Sequence, residues 1–591
     1  MSDEKRTLAA VGLMALILLL FFSEPYQRLM NPGSKQEAPA KPNIESSFSA
    51  PSDSLESRPP AETALAATPP SVPTSIPITM DSTDIQDARL VIQTPKMQLV
   101  LWSRGGGTLE KVYLKDYFLK DSSLVQLVPE GTHGTLSNQF IGYEIENYST
   151  ADLPATCSVE TDTLDVYGQP VTVSYEVVLS ATSRIQRRFT FYPDVFHFDL
   201  EQELVNLEDV NAGRYFATTW RGGIAMTEPN RKDDLTYTKL YALLGDDHSP
   251  ADYDAKKEAN TEITTGLTHW VGIRSKYFAA MLVPAEPVSE FRQSRQSLGE
   301  GDEALKVFTV DVRDEYDRRL PRTFSNYRIY TGPLDYDILK DYGLYFEEMM
   351  NWGWFGFLGK WSLQLFKWLY TYIPNYGIVL LIFSVLVKLL TAPLTRKQMA
   401  STQRMQQVQP QVTELKEKYK SDPQKLNQET MKLYKEMGVN PMGGCLPLVI
   451  QMPILIAMFN LFRTTIELRG AAFKGLEFWI ADLSLPDTIG HIAGFDINPL
   501  PIIMGVTMIL QQKLMSPSST AANPQMKNMP YIMTVVFLFI FYQFPSGLNL
   551  YYTLFNIMAI AQQKLMPTKP LEPKQVATAP AAKPKPTKKK R

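Results

Sequence analysis

The 591-residue sequence has little of what most catalytic sites are built from. Only two cysteines occur, Cys157 and Cys445. They can form neither a disulfide framework nor a cysteine-rich metal centre, and both read as free thiols. The five histidines, His133, His197, His248, His269 and His491, are scattered. None makes an H-x-x-x-H pair or stands near a cysteine pair, which argues against a metal site. Gly105-Gly106-Gly107 follows a strand-like run and no helix opens after it, so it reads as a hairpin turn and not as a phosphate cradle. Charge of one sign is not in excess either. The formal net charge of −3 excludes a general nucleic-acid binder.

What is present is organised in blocks. Lys5 and Arg6 precede an apolar run over residues 8–22, which has the charged and apolar parts of a secretory signal. Ser23-Glu24-Pro25 offers no small-x-small cleavage site, so residues 1–24 read as an uncleaved membrane anchor with its basic end in the cytoplasm. Residues 25–84 form a tether rich in Pro, Ser, Ala and Thr, too polar to offset its ordering entropy. Over 85–330 the pattern turns to period two. Val171, Val173, Tyr175 and Val177 alternate with polar residues, as do Phe189 with Phe191 and Phe196, Phe198 with Leu200. This predicts an antiparallel β-sandwich, outside the cytoplasm because it follows the anchor. Residues 331–358 carry Leu339, Tyr342, Tyr345, Phe346 and Met349 at helical spacing, then Trp352, Trp354 and Phe357. They read as an amphipathic helix in the membrane interface, with packing on the β-domain as the alternative.

Residues 359–566 read as five membrane spans: within 361–390, at 445–462, from 499 to about 513, and at 531–544 and 548–561 about a Pro545-Ser546-Gly547 turn. With the anchor the count is six transmembrane helices. Residues 393–441 hold nine basic against five acidic residues, and the tail 567–591 holds eight against one. Both fall on the side of Lys5 and Arg6, so both termini are expected in the cytoplasm. Within 394–441, Met405, Val408, Val412, Leu415 and Tyr419 form a heptad seam, and Asp422-Pro423 starts a second helix carrying Leu426, Leu433 and Met437. A cytoplasmic helical hairpin follows, either a spacer or, beside the basic tail, a surface for ribosomal RNA or anionic lipid.

The unusual residues lie inside the apolar blocks. Lys388 is the only charge over 377–390, with Ser384 one turn before it on the same face. A charge inside a span faces protein or a wet cavity at some cost. Snorkelling to the cytoplasmic surface is the competing account. Gln451, Asn460, Thr507, Gln543, Asn549 and Asn556 add polar groups to the spans, and Met442, Met452, Met458, Met504 and Met508 add adaptable apolar surface.

Three ordered stretches carry a resemblance: residues 440–453 (NPMGGCLPLVIQMP), 544–552 (FPSGLNLYY) and 501–508 (PIIMGVTM). They resemble the hallmarks of the YidC family, related to the mitochondrial Oxa-type and chloroplast Alb-type insertases. The resemblance covers the whole chain and implies a multidomain membrane protein of the bacterial inner membrane. In it a five-helix insertase core and an N-terminal anchor carry a periplasmic antiparallel β-super-sandwich, similar to sugar-mutarotase folds. No paired His and Glu supports sugar binding. The resemblance further implies a positively charged hydrophilic groove, open to cytoplasm and lipid, along which nascent hydrophobic segments enter the bilayer. On this sequence the groove residues fall on Lys388, Ser384, Leu455, Met504, Ile540 and Tyr552. Relatives typically carry arginine where Lys388 stands, so the charge is kept and the planar fork lost. Leu455 and Ile540 are aliphatic where relatives carry aromatics. The implied role is insertion, folding and assembly of membrane proteins, alone or with the Sec translocon. Nascent membrane proteins, the ribosome and membrane lipids are the implied partners. No enzyme activity, cofactor, metal or small-molecule substrate is implied. A polytopic transporter or channel is the rival reading, and a membrane-anchored carbohydrate binder a weaker one that leaves the five spans unexplained.

Overall fold

The computed structural model describes residues 87–141, 148–207, 215–253, 261–298, 305–317, 319–353, 355–438, 446–492, 494–515 and 524–565. The expected anchor, tether and basic tail lie outside these residues, as do Cys445 and the 440–445 part of the first motif. Cys157 is a half-buried free thiol.

Alternation builds the β-domain. Strand Arg184–Phe191 turns every second residue inward, with Ile185, Phe189 and Phe191 buried. It pairs antiparallel with Val171–Val178 and His197–Val205, which bury Val173, Tyr175, Val177, Phe198 and Leu200 from the same side. From there a 14-stranded sheet continues through Arg322–Pro333, Phe278–Pro284 and Thr261–Arg274 to Leu305–Glu315 and Tyr215–Trp220. A five-stranded sheet faces it, and a single apolar core fills the space between. One edge departs from the antiparallel expectation, because Arg89–Gln93 pairs parallel with Thr163–Asp165.

The triple glycine is a hairpin turn, joining Met97–Trp102 to Thr108–Phe118. Gly105, Gly106 and Gly107 all have positive φ, and a Cβ on Gly107 would lie 2.7 Å from the Tyr175 ring. The turn is pinned by a buried cation. The terminal nitrogens of Arg187 donate to the carbonyls of Gly105 (2.8 Å), Gly106 (3.0 Å) and Leu136 (2.6 Å), all backbone, while its Nε is buried without a hydrogen-bond partner.

Nine described helices follow the strands or interrupt them. Helix α1 (Arg231–Tyr237) lies in a loop of the β-domain, and α2 (Tyr336–Tyr342) leaves its last long strand. The single amphipathic helix expected over 331–358 is not found. Helix α2 stops at Gly343, whose φ of 72° suits a helix end. A short 3-10 turn, Phe346–Met350, comes next. Leu339, Phe346 and Met349 are buried, and the Phe346 ring meets Trp270 of the sheet at 5.4 Å. Packing on the β-domain is therefore the arrangement seen for this segment. The exposed aromatic stripe belongs to the next helix, α3 (Gly356–Tyr372), as Phe357, Trp361, Trp368 and Tyr372. Its opposite face buries Leu363, Phe366 and Leu369.

Ile373-Pro374-Asn375 separates α3 from α4 (Tyr376–Lys418), with the Asn375 side chain capping α4. Helix α4 runs unbroken through Pro393 into the expected hairpin. Thr391 and Thr395 donate back to the carbonyls of Val387 and Thr391 beside the proline. Helix α5 (Pro423–Glu436) returns along it, its start capped by Asp422. Their seam buries Met405, Val408 and Val412 against Leu433, Tyr434 and Met437; Leu415 and Tyr419 are only half-buried. The remaining helices are α6 (Leu446–Thr464), α7 (Pro499–Met515), α8 (Pro524–Phe541) and α9 (Ser546–Leu565). Among the described residues one helical segment, Tyr376–Pro393, is long and apolar enough to cross a membrane; Met452–Thr464 and Tyr531–Phe541 are shorter apolar helices.

The β-domain and the helices are joined by buried ion pairs. Asp233 of α1 pairs with Arg463 at the end of α6 and with Lys276 at 2.9 Å. Burial opposes the Asp233 charge, but Lys276 and Arg463 together hold its carboxyl below the usual range. Arg469 pairs with Glu228 at 2.7 Å. Lys367 of α3 bridges Asp335 (3.1 Å), Asp337 (2.7 Å) and Glu467 (2.6 Å).

Candidate functional site

Lys388 is on the inner face of α4, one turn after Ser384. It lies about 18 Å along the helix from Tyr376, in a span of roughly 27 Å at 1.5 Å per residue. Its side chain does not reach out to solvent; the residue is only 6% exposed. The ammonium sits over the ring of Phe555 on α9, 4.2 Å from the centroid. Among the described residues no carboxylate lies within ion-pair distance of it. A ring face is a weak partner for a cation, contributing about 0.5–2 kcal/mol, so the charge is held without being neutralised. The outward face of α4 is apolar and exposed, at Val385, Leu386, Leu389 and Leu390.

Helix α9 supplies the opposite wall. The rings of Tyr551 and Phe555 are tilted against each other at 6.1 Å, Tyr551 meets Phe383 of α4 at 6.3 Å, and Tyr552 meets Phe541 of α8 edge-on at 5.5 Å. The hydroxyls of Tyr551 and Tyr552 are buried without a hydrogen-bond partner, which makes this wall polar and unsatisfied. Helix α7 closes the third side. Met504 is buried, and Asn556 donates to the Thr507 hydroxyl at 3.3 Å. Ser384 is fully buried and its hydroxyl donates back to the Leu380 carbonyl at 2.7 Å. It keeps its lone pairs for a donor but has committed its proton.

The residues singled out from sequence thus separate. Lys388 of α4 meets Phe555 of α9, Thr507 of α7 meets Asn556 of α9, Ser384 and Met504 are buried on α4 and α7, and Tyr552 turns to Phe541 of α8. Ile540 lies toward the far end of α8, in the wall of an outer cavity, and Leu455 is half-buried on α6. No described hydrogen bond or ring contact links either to Lys388. Asn460 donates to the Trp352 carbonyl (2.9 Å) and Asn549 to those of Phe541 and Phe544, so both serve packing and turn formation. Gln543 is exposed, and the Gln451 side chain lies outside the described part. Phe555 and Tyr551 were not singled out. The available signal was their i, i+4 spacing on a helix that already carried Tyr552 and Asn556.

A family model of the 60Kd inner membrane protein matches residues 368–572, and one of the YidC periplasmic domain matches residues 89–365. A membrane protein insertase YidC of Chlorobium luteolum is 35% identical over 512 residues, covering 83% of this chain and 86% of its own length. This chain belongs to the YidC family. A YidC of Pelodictyon phaeoclathratiforme is 34% identical, covering 81% of this chain and 82% of its own. A crystal structure of an active YidC insertase with its first transmembrane domain resolved covers 81% of this chain and 93% of its own, at 19% identity and a TM-score of 0.34. The β-domain is the YidC periplasmic domain, and the helices that follow it carry the core shared by the family.

Proposed function

We propose that this YidC chain inserts and folds membrane proteins through the region between α4, α7 and α9, with Lys388 as its fixed cation. The observation that carries the reading is a lysine inside the one segment among the described residues that is long and apolar enough to cross a membrane, 4.2 Å from an aromatic ring, with no described carboxylate beside it. A buried charge left without a counter-ion weakens the fold. Its retention is explained if passing acidic segments meet it, because moving their carboxylates through a low-dielectric region is costly unless a positive charge awaits them. Ser384, Met504 and Tyr552 line this region, and Leu455 and Ile540 extend the client path along α6 and α8. Six spans, including the anchor, place both termini in the cytoplasm. Helix α3 lies in the outer interface with its aromatic stripe in the headgroups. Nascent chains arrive from the ribosome, which the basic hairpin and tail engage, and the Sec translocon shares some clients. The chain is not an enzyme.

The test is reconstitution of the full chain in protein-free liposomes without nucleotide. Insertion of a short, two-span client to a protease-protected state is the expected result. Flux of a small solute without insertion would favour the transporter reading.

A further inference from the structure

A cavity of about 1010 Å³ opens where the β-domain meets the outer ends of α8 and α9. We propose that it is a binding site for one glycerophospholipid of the outer leaflet.

Its walls are of two kinds. Val535 and Phe539 of α8, with Phe495 of the loop before α7, form an apolar wall. Phe539 is 86% and Phe495 77% exposed. Ile532, Val535 and Phe539 lie on one exposed face of α8, so the lipid-facing stripe of the helix runs directly into the cavity. The opposite wall is polar and comes from the β-domain and the end of α6. Asn230 and Lys232 are exposed at its rim, and the paired Asp233, Lys276 and Arg463 form its floor.

The match is to an amphiphile. The lining carries three cations, Lys232, Lys276 and Arg463, against two carboxylates, Glu228 and Asp233. Glu228 is already paired with Arg469 and Asp233 lies between Lys276 and Arg463, so the lining keeps a positive excess that suits the negative charge of a phosphodiester. Asn230 and Gln543 add amide groups to the lining. A free phosphate would leave Phe539 and Phe495 against water, whereas acyl chains cover them and continue into the bilayer along α8. Seating a lipid here would tie the β-domain to the outer leaflet beside the point where α8 turns into α9.

The full chain, in vesicles of phosphatidylethanolamine and phosphatidylglycerol carrying a photoactivatable acyl chain, tests this. Adducts on peptides containing Phe539 and Phe495 should exceed those on the exposed α7 face, Ile502 and Val506, by several-fold. Lys232→Glu should lower the cavity adducts at least threefold and leave those on α7 unchanged, and Lys232→Arg should keep both. Millimolar inorganic phosphate should leave the adducts in place. The proposal fails if cavity adducts equal those on α7 and ignore Lys232→Glu. It fails if inorganic phosphate removes them, since the site would then serve a soluble anion. It also fails if these positions crosslink to a loaded client and never to lipid.

Discussion

Arg463 and Lys388 are both buried cations on helices of the core, and the fold treats them in opposite ways. Arg463 pairs with Asp233, shares it with Lys276, and lies among the rings of Tyr237 (5.4 Å), Phe459 (5.2 Å) and Phe544 (5.8 Å). Lys388 has one ring and, among the described residues, no anion. The first charge is satisfied where it stands and fastens the β-domain to α6. The second is buried against Phe555 and, among the described residues, has no such ion-pair partner. The contrast sets a charge used to build the molecule against one that, on the function proposed above, meets clients in passage.

That contrast can be broken most severely at the junction. Arg463→Ala should remove the guanidinium from Asp233 and lower stability by about 1.5–3 kcal/mol, short of the cost of a fully unpaired buried charge because Lys276 still holds the carboxylate. Denaturant unfolding of the purified chain in detergent would show it. Stability unchanged by the substitution would mean the junction is not fastened by charge. In the α4–α5 hairpin, Val412→Asp should remove an apolar contact worth about 1.5–3 kcal/mol and place a carboxylate in the seam. Lys418→Ala, on the exposed side, should change stability by no more than about 0.5 kcal/mol. Limited proteolysis between α4 and α5 would compare them, and equal protection would show that the seam does not hold the two helices.

A smaller effect is expected from pH on the β-domain side. His197 accepts or donates a 2.7 Å hydrogen bond with the Tyr342 hydroxyl of α2. Burial, helped by the Arg328 charge, pushes its pKa down to about 4. The folded state therefore prefers the neutral ring. Its contribution is complete above the ordinary histidine value near 6.5 and is lost as pH falls from there toward 4. The loss should be roughly 1–2 kcal/mol, given the partial exposure of the ring. His197→Gln should flatten stability across that window, as read by unfolding at pH 7 and pH 4.5; an unaltered pH dependence would assign it to other groups.

The parts legible in the sequence were those where one residue contrasts with its surroundings. Lys388 and Ser384 stand out in an apolar run, and the alternation about Phe189 and Phe198 gives the strands. The Asp422-Pro423 helix start and the triple-glycine turn carry local signatures that the fold keeps. Phe555 offered no contrast, because a phenylalanine in an apolar stretch is ordinary until a cation is found above it. The Asp233–Arg463 pair could not be read at all, since its members stand 230 residues apart and only the tertiary fold brings them together. The segment after the last long strand was misread for a different reason. Leu339, Tyr342, Phe346 and Met349 fit a continuous helix by spacing, and Gly343 was the stop signal that should have divided them.

The most direct test sets the two kinds of charge against each other at Lys388 itself. Two clients would be matched in hydrophobicity, one with an acidic translocated segment and one with a neutral segment, and the protease-protected fraction measured in Lys388→Ala, Lys388→Glu and Lys388→Arg chains of verified thermal stability. The account predicts that Lys388→Ala and Lys388→Glu lose most insertion of the acidic client and little of the neutral one. Lys388→Arg should insert both, and no variant should unfold as Arg463→Ala does. Normal insertion of the acidic client by Lys388→Ala would contradict the account and leave Lys388 without a role in the path.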